Sequence, residues 1–265
     1  MGSVLRAGGG ARGGARHGRL AVAGALVVIP ARYGSSRFPG KALADLHGRP
    51  LVVRVAERAA AMREAGAVVV ATDDPRIRDA VEAAGFAAEL TGEHATGTDR
   101  VGAVAARRTA EFVVNLQGDE PLLDPAEADR LVVLLRGDPT AGLATLAHPL
   151  ADADEWRDPN VVKVLLDRRG RALYFSRAPL PGVFPGRAVR GEQLALRHVG
   201  IYAWRRAALL DFVAWPATPL ELAEGLEQLR ALEHGLPIVV ARTESRPVGV
   251  DTPEDLERVR RLWPA

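Results

Sequence analysis

Short, predominantly apolar runs recur along the chain, at Ala25–Ile29, Ala67–Ala71, Glu111–Leu116, Leu143–Ala147 and Leu236–Ala241. Runs of this length without polar alternation mark strands buried on both faces. Between them the apolar period lengthens to that of a helix. Leu51, Val52, Val55, Ala56, Ala59 and Met62 share one face of a helix predicted over Pro50–Glu64, with proline at its start and Gly66 at its end. Asp74 is placed to cap a second helix, Pro75–Ala84, which Gly85 closes before a short strand at Phe86–Leu90. Further helices are predicted at Arg100–Arg108, Pro125–Arg136 and Leu220–Glu233, and a last one, capped by Thr252 and opened by Pro253, ends near Trp263. Successive β-α-β passes with short links predict an α/β fold with a right-handed, doubly wound, mostly parallel sheet.

The pattern changes over about 143–205. Val161–Leu166 and Ala172–Phe175 read as strands joined by the turn Asp167–Gly170, and a Pro/Gly-rich loop follows through Gly191, suited to a lid or a subunit contact. Arg197–Trp204 alternates. His198, Gly200, Tyr202 and Trp204 share one side of that strand, and Arg197, Val199, Ile201 and Ala203 the other.

Composition narrows the class. With 265 residues the chain can bury a sizeable core, and its apolar content of 48% is that of a globular protein. Cysteine is absent, which excludes disulfides and thiolate metal sites and fits a cytoplasmic location. The net charge of +2 conceals a split: Arg6, Arg12, Arg16 and Arg19 make residues 1–24 a basic Gly/Ala/Arg-rich tail, expected to be disordered, and leave the rest slightly acidic. No nucleic-acid footprint follows, and no apolar run reaches the length of a membrane span. A secretory signal would use up the apolar run that leads into the cationic loop, and no A-x-A site follows before Arg32.

That loop carries the candidate chemistry. After the first strand, which Pro30 is expected to end, come Gly34, Ser35, Ser36 and Gly40, with Arg32, Arg37 and Lys41 among them. A strand, a small-residue loop with cations and then a helix is an arrangement that wraps a polyphosphate; the plainer alternative is a basic surface turn. It is not a Walker A loop, because five residues separate Gly34 from Gly40 and Ala42 follows Lys41 where a hydroxyl is needed. Lysine itself is scarce: only Lys41 and Lys163 occur among 35 basic side chains, which suggests a need for a compact point charge in the loop. Asp119, after a buried strand and a glycine, would point into the same crevice and hold Mg²⁺, or merely cap a turn; Glu120 would face away or brace the loop. Asp251, in a second glycine-containing turn, could bracket the same metal-bound triphosphate. The segment Glu93–Arg100 serves either as a helix cap or as a base or ribose contact.

The motifs I-P-A-R-Y-G-S-S-R-F-P-G-K, N-L-Q-G-D-E-P, D-P-N-V-V-K-V-L-L-D, A-L-Y-F-S-R, R-H-V-G-I-Y, L-E-Q-L-R and G-V-D-T-P-E-D-L occur in this order. From about Ala25 to Leu262 the chain resembles the 3-deoxy-manno-octulosonate (Kdo) cytidylyltransferases. The resemblance implies a nucleotidyltransferase domain over 25–265, with 143–205 contributing a sugar-acid and dimer subregion. It further implies the reaction CTP + Kdo → CMP-Kdo + pyrophosphate, with Mg²⁺ and in a homodimer. On matching positions, Arg32, Arg37 and Lys41 would hold the phosphates, and Asp119 and Asp251 the metal. Ala31, Thr72, Asp73, Thr96, Gly97, Thr98 and Arg100 would lie at the nucleotide. Gln117, Arg177, His198, Tyr202, Glu227 and Gln228 would surround the sugar acid, with Arg177 on its carboxylate. Another carboxylated sugar or a phosphonate as acceptor, a nucleotide-binding module without catalysis, and a phosphate-loop kinase are the alternatives.

Overall fold

The computed structural model describes residues 20–21, 23–34 and 37–263, so most of the predicted tail, and Ser35 and Ser36 of the cationic loop, lie outside the described residues. The described part of the tail departs from expectation: Leu20–Ala21 is a two-residue strand running parallel to Arg108–Thr109.

The first half alternates strand and helix: β1 (Ala25–Ala31), α1 (Leu51–Ala60), β2 (Ala65–Thr72), α2 (Pro75–Ala83), β3 (Ala87–Leu90), α3 (Gly97–Ala106), β4 (Phe112–Asn115) and α4 (Pro125–Gly137). The second half is less regular: β5 (Leu143–Pro149), α5 (Ala153–Arg157), β6 (Lys163–Leu166), β7 (Ala172–Ser176), β8 (Leu196–Arg205), α6 (Arg206–Ala214), α7 (Pro219–Glu224), α8 (Gln228–Glu233), β9 (Ile238–Arg242) and α9 (Pro253–Leu262). The main sheet has the order β9-β5-β8-β4-β1-β2-β3. All neighbours are parallel except β8, which runs antiparallel to both β4 and β5. This is the mixed α/β, mostly parallel sheet that the pattern predicts. The stretch 143–205 is not a separate layer: β5 and β8 stand inside the main sheet, and the hairpin β6–β7 extends from β8.

Both faces of the sheet are covered, which is why the strands read as predominantly apolar runs. Val27 and Ile29 pack on one face with Val52, Ile77 and Leu131 of α1, α2 and α4. Leu26 and Val28 point the other way, onto Val101, Phe212 and Leu229 of α3, α6 and α8. Each of these fully buried side chains contributes about 1.5–3 kcal/mol by leaving water.

Four boundaries differ from the sequence expectation, each for a local reason. Pro30 does not end β1. Its strand stays paired with β2 through Pro30 and Ala31, whereas pairing with β4 stops at Val28, so the residue lacking an N–H lies beyond the end of one of its two ladders. Gly66 lies inside β2 rather than ending α1, because the Asp129 carboxylate accepts the amides of Arg63 (3.0 Å) and Glu64 (2.9 Å) and fixes an earlier turn. α3 begins at Gly97, where the Thr96 hydroxyl accepts the Asp99 amide at 3.1 Å. The helix predicted over 220–233 is two: Gly225, at φ 62°, caps α7 in the left-handed region. A buried bidentate pair, Arg230 to Glu221 at 2.5 and 2.8 Å, then holds α8 against α7.

Candidate active site

The site lies at the carboxyl ends of β1 and β4, where an open α/β sheet leaves a crevice. β1 delivers Ala31 and Arg32, and the chain then loops back at Gly40. Gly40 has φ 72°, and a Cβ there would meet the Tyr33 ring at 3.2 Å, so the loop closes on Tyr33 only with glycine. The next residue, Lys41, opens a short 3₁₀ turn and points its ammonium into the crevice. Its Nζ donates to Asp119 Oδ2 at 2.6 Å, to the Val250 carbonyl at 2.9 Å and to Asp251 Oδ1 at 3.2 Å. Arg37 meets the other oxygen of Asp251 at 3.1 Å.

Backbone contacts explain why two carboxylates so distant in sequence converge. The Val250 amide donates to the Asp119 carbonyl at 2.8 Å, docking the 248–251 turn on the end of β4. Asp251 and Thr252 are then held by the capping box of α9, in which Asp255 accepts both amides, at 3.1 and 3.0 Å. Gly118 sets the other half. A Cβ on it would lie 2.9 Å from the Pro30 carbonyl oxygen, so only glycine lets Asp119 come this close to β1.

A cavity of about 360 Å³ opens in front of this cluster, lined among others by Ala31, Arg32, Arg37, Lys41, Thr96, Gly97, Arg100, Gln117, Asp119 and Asp251. The structure thus brings together ten of the sequence-predicted site residues. Three nucleotide-side candidates, Thr72, Asp73 and Thr98, are not among the residues that line it. Thr72 is buried, and its hydroxyl accepts the Asp74 amide at 3.2 Å. Asp73 accepts Arg100 Nη2 at 2.6 Å, and Arg100 Nη1 donates to Thr91 at 2.5 Å. Arg100 is therefore a strut between α3 and the ends of β2 and β3. Thr98 turns its hydroxyl to Glu227 Oε2 at 2.6 Å, away from the nucleotide side.

The acceptor-side candidates form a second group beside Gln117. His198 lies 5.5 Å from Tyr202, ring to ring, and 5.0 Å from Phe175. Its Nε2 is 3.0 Å from the Thr145 hydroxyl, which also lies 3.0 and 2.8 Å from the carbonyls of Val199 and Ile201 at a bulge in β8. Burial pushes the His198 imidazole down to about 3, so it is neutral, and pushes the Tyr202 phenol up, helped by Glu227 and Glu120. Gln228 is buried at the start of α8. Arg177 is placed differently from expectation: its Nε donates to the Glu224 carbonyl (2.8 Å) and Nη1 to the Pro159 carbonyl (3.1 Å), so backbone oxygens engage its guanidinium.

Glu120 does not face away. Its Oε2 is buried without a hydrogen-bond partner, and burial, then the Asp119 charge, push the carboxyl up to about 8. His94 and Ala95, within the segment Glu93–Arg100 read as a cap or a nucleotide contact, and Gly118, the glycine before Asp119, also line the cavity; Asn115, fully buried at the end of β4, is the residue that the sequence reading leaves out. Asn115 was findable: a polar side chain inside an apolar strand needs a partner.

Mg²⁺ fits the donors present. Asp119 and Asp251 offer only carboxylate oxygen, the donor type Mg²⁺ takes together with substrate phosphates, and Lys41 already finds both carboxylates within reach of one cation. Among the described residues no group of three or more His, Cys, Asp or Glu could hold a metal unaided, so the remaining ligands would come from phosphate and water.

A strand-end loop with three cations, facing two carboxylates across a crevice of a mostly parallel sheet, defines a nucleotidyltransferase. The family model described as Cytidylyltransferase matches residues 26–243. The chain is 51% identical over 238 residues to the 3-deoxy-manno-octulosonate cytidylyltransferase of Syntrophotalea carbinolica, covering 88% of this chain and 95% of that one. It is 54% identical over 242 residues to the protein of the same name from an Anaeromyxobacter species, covering 90% and 96%. Among solved structures, CMP:2-keto-3-deoxy-manno-octonic acid synthetase complexed with CTP superposes with a TM-score of 0.84 at 44% identity, covering 90% of this chain and 98% of that one. A cytidylyltransferase from Leptospira borgpetersenii, at 17% identity and a TM-score of 0.60, shares the fold. The chain belongs to the 3-deoxy-manno-octulosonate cytidylyltransferase family of enzymes.

Proposed function

We propose that this enzyme couples CTP to Kdo, giving CMP-Kdo and pyrophosphate. The observation that carries the reading is the meeting of Lys41 with Asp119 and Asp251 at the mouth of the cavity. The anomeric hydroxyl oxygen of the sugar acid attacks the α-phosphorus of CTP in line. The new P–O bond forms as the bond to the β-phosphate breaks; pyrophosphate leaves, and the hydroxyl proton passes to solvent. Arg32, Arg37 and Lys41 bind and orient the triphosphate, and their charges offset the negative charge that grows on it. Asp119 and Asp251 would hold Mg²⁺, which when bound supplies further positive charge at the phosphates. Thr96 and Gly97, at the start of α3, border the nucleotide. Gln117, His198, Tyr202, Glu227 and Gln228 shape the acceptor side, where a neutral His198 can hydrogen-bond a hydroxyl without attracting a second anion.

Pyrophosphate release from CTP that requires Kdo tests the reading, with Asp119→Asn as the control. Turnover in that variant should fall by about 10²-fold or more, with CTP affinity changed far less. Release independent of the sugar acid, or an unaffected variant, would refute it.

The enzyme works as a homodimer in this reading. Leu173, Phe184, Val189 and Leu194 stand exposed between 172 and 194, more apolar surface than one short stretch commonly leaves to water. Light scattering that gives a monomer mass at micromolar concentration would overturn this. No helix among the described residues is long and apolar enough to cross a membrane, and a cytoplasmic site of action fits the absence of cysteine.

A further inference from the structure

Thr98 belongs to α3, whose start borders the cavity, yet its hydroxyl points to the acceptor side. It donates to Glu227 Oε2 at 2.6 Å and lies 3.5 Å from Asn115 Nδ2; Asn115 Oδ1 in turn lies 3.5 Å from Gln117 Nε2. Thr98 and Asn115 are 6% and 0% exposed. Asn115 stands opposite Tyr202 in the β4–β8 ladder, so its amide reaches Thr98 from the end of the sheet on which Tyr202 sits. Glu227 occupies the cap position of α8, two residues after the left-handed Gly225; its carbonyl accepts the Arg230 amide at 3.0 Å, but its side chain makes no cap hydrogen bond with the helix. A long carboxylate at the start of a two-turn helix has many rotamers open to it. A short, charge-assisted bond from a buried hydroxyl selects one.

We propose that Thr98, steadied by Asn115, is a positioning residue: it fixes the Glu227 carboxylate to accept hydroxyl groups of the incoming sugar acid, so that one helix sets both halves of the site. This rests on the functional reading above. α3 presents Thr96 and Gly97 to the nucleotide while the next residue orients an acceptor contact, so any shift of α3 on nucleotide binding moves Glu227 with it.

The test is steady-state kinetics with CTP and Kdo varied separately. Thr98→Val keeps the shape and removes the donor; the KM for the sugar acid should rise about ten-fold, the effect of losing one hydrogen bond to a charged group, with the KM for CTP within about two-fold of wild type. Thr98→Ser, which restores the donor, should recover most of the loss. In a Glu227→Gln background Thr98→Val should add little, because the group through which it acts is already neutral. If the valine variant does not fold, Thr98→Ala against Thr98→Ser reads the same comparison. A normal sugar-acid KM in the variants lacking the hydroxyl, a parallel rise in the KM for CTP, or additive losses in the double variant would each overturn the proposal. A wild type without Kdo-dependent turnover refutes the underlying reading as well; an active wild type with normal Thr98 variants refutes this inference alone.

Discussion

Lys163 is fully buried, and its ammonium donates to three backbone carbonyls: Asp158 at 2.8 Å, Val161 at 2.6 Å and Arg177 at 2.5 Å. Burial holds its pKa below the ordinary lysine value, with the charges of Asp158 and Glu224 acting in the opposite sense. Lys163→Met keeps the apolar stem and removes the donor. Each buried carbonyl left without a partner costs about 1–3 kcal/mol. Relief of the ammonium's own desolvation, several kcal/mol, offsets a good part of that. Two of the three carbonyls reach partly buried surroundings where water can replace the bond. The net loss should be about 2–4 kcal/mol, a large share of the 5–15 kcal/mol that typically holds a domain folded. For a chain of this size that lowers Tm by roughly 5–15 °C. Urea unfolding followed by tryptophan fluorescence, with Trp204 in the core as a reporter, measures it. A midpoint equal to or above wild type would show that the ammonium does not hold these carbonyls. Lys163→Arg should lose as well, because a planar fork cannot serve three carbonyls in the same slot.

Gly118→Ala should lower turnover by about 10–100-fold with little change in Tm, since the new methyl would press on the Pro30 carbonyl and displace Asp119; pyrophosphate release and a melting curve check the two arms. His198 takes up a proton near its ordinary 6.5 in the unfolded chain but only near 3 when folded. Its contribution to stability is therefore complete above pH 6.5 and is lost as pH falls toward 3. Because the ring is not wholly shielded, the loss should be about 3 kcal/mol, and it should flatten in the stability–pH curve of His198→Gln. Lys41→Arg should cut turnover by about 10²-fold while CTP affinity changes by less than about ten-fold; unchanged turnover would mean that the site does not need a compact charge.

The sheet was legible because its strands are buried on both faces and leave predominantly apolar runs; Val27 and Ile29 face one set of helices and Leu26 and Val28 the other. Caps were legible for the same local reason, as Asp74 and Thr252 show. The antiparallel placement of β8 between β4 and β5 was not, since alternation predicts a strand and not its neighbours. In the site, Lys41, Asp119 and Asp251 could be picked out as candidates because cations and acids stand beside glycines at strand ends. Their convergence depends on the Val250 amide meeting the Asp119 carbonyl, a contact between main-chain atoms that leaves no residue signature. Side-chain direction was equally hidden. Thr98 sits one residue from the cavity wall and points elsewhere, and Arg177 carries the right charge but directs it to the carbonyls of Glu224 and Pro159.

The two lysines of this arginine-rich chain answer one geometric demand. Each serves three oxygens that arrive from different segments: 158–161 and 177 around Lys163, 119 and 250–251 around Lys41. A tetrahedral ammonium can point three donors apart, whereas the donors of a guanidinium lie in one plane. What separates the two is the acceptor set. Around Lys163 all three oxygens are neutral main-chain carbonyls that belong to the fold itself, so losing the bonds is felt as stability. Around Lys41 two are carboxylates open to the cavity, and a triphosphate offers competing oxygens of the same charge. The second lysine can exchange partners on binding while the first cannot, so Lys163→Met is expected to act on unfolding and Lys41→Arg on turnover.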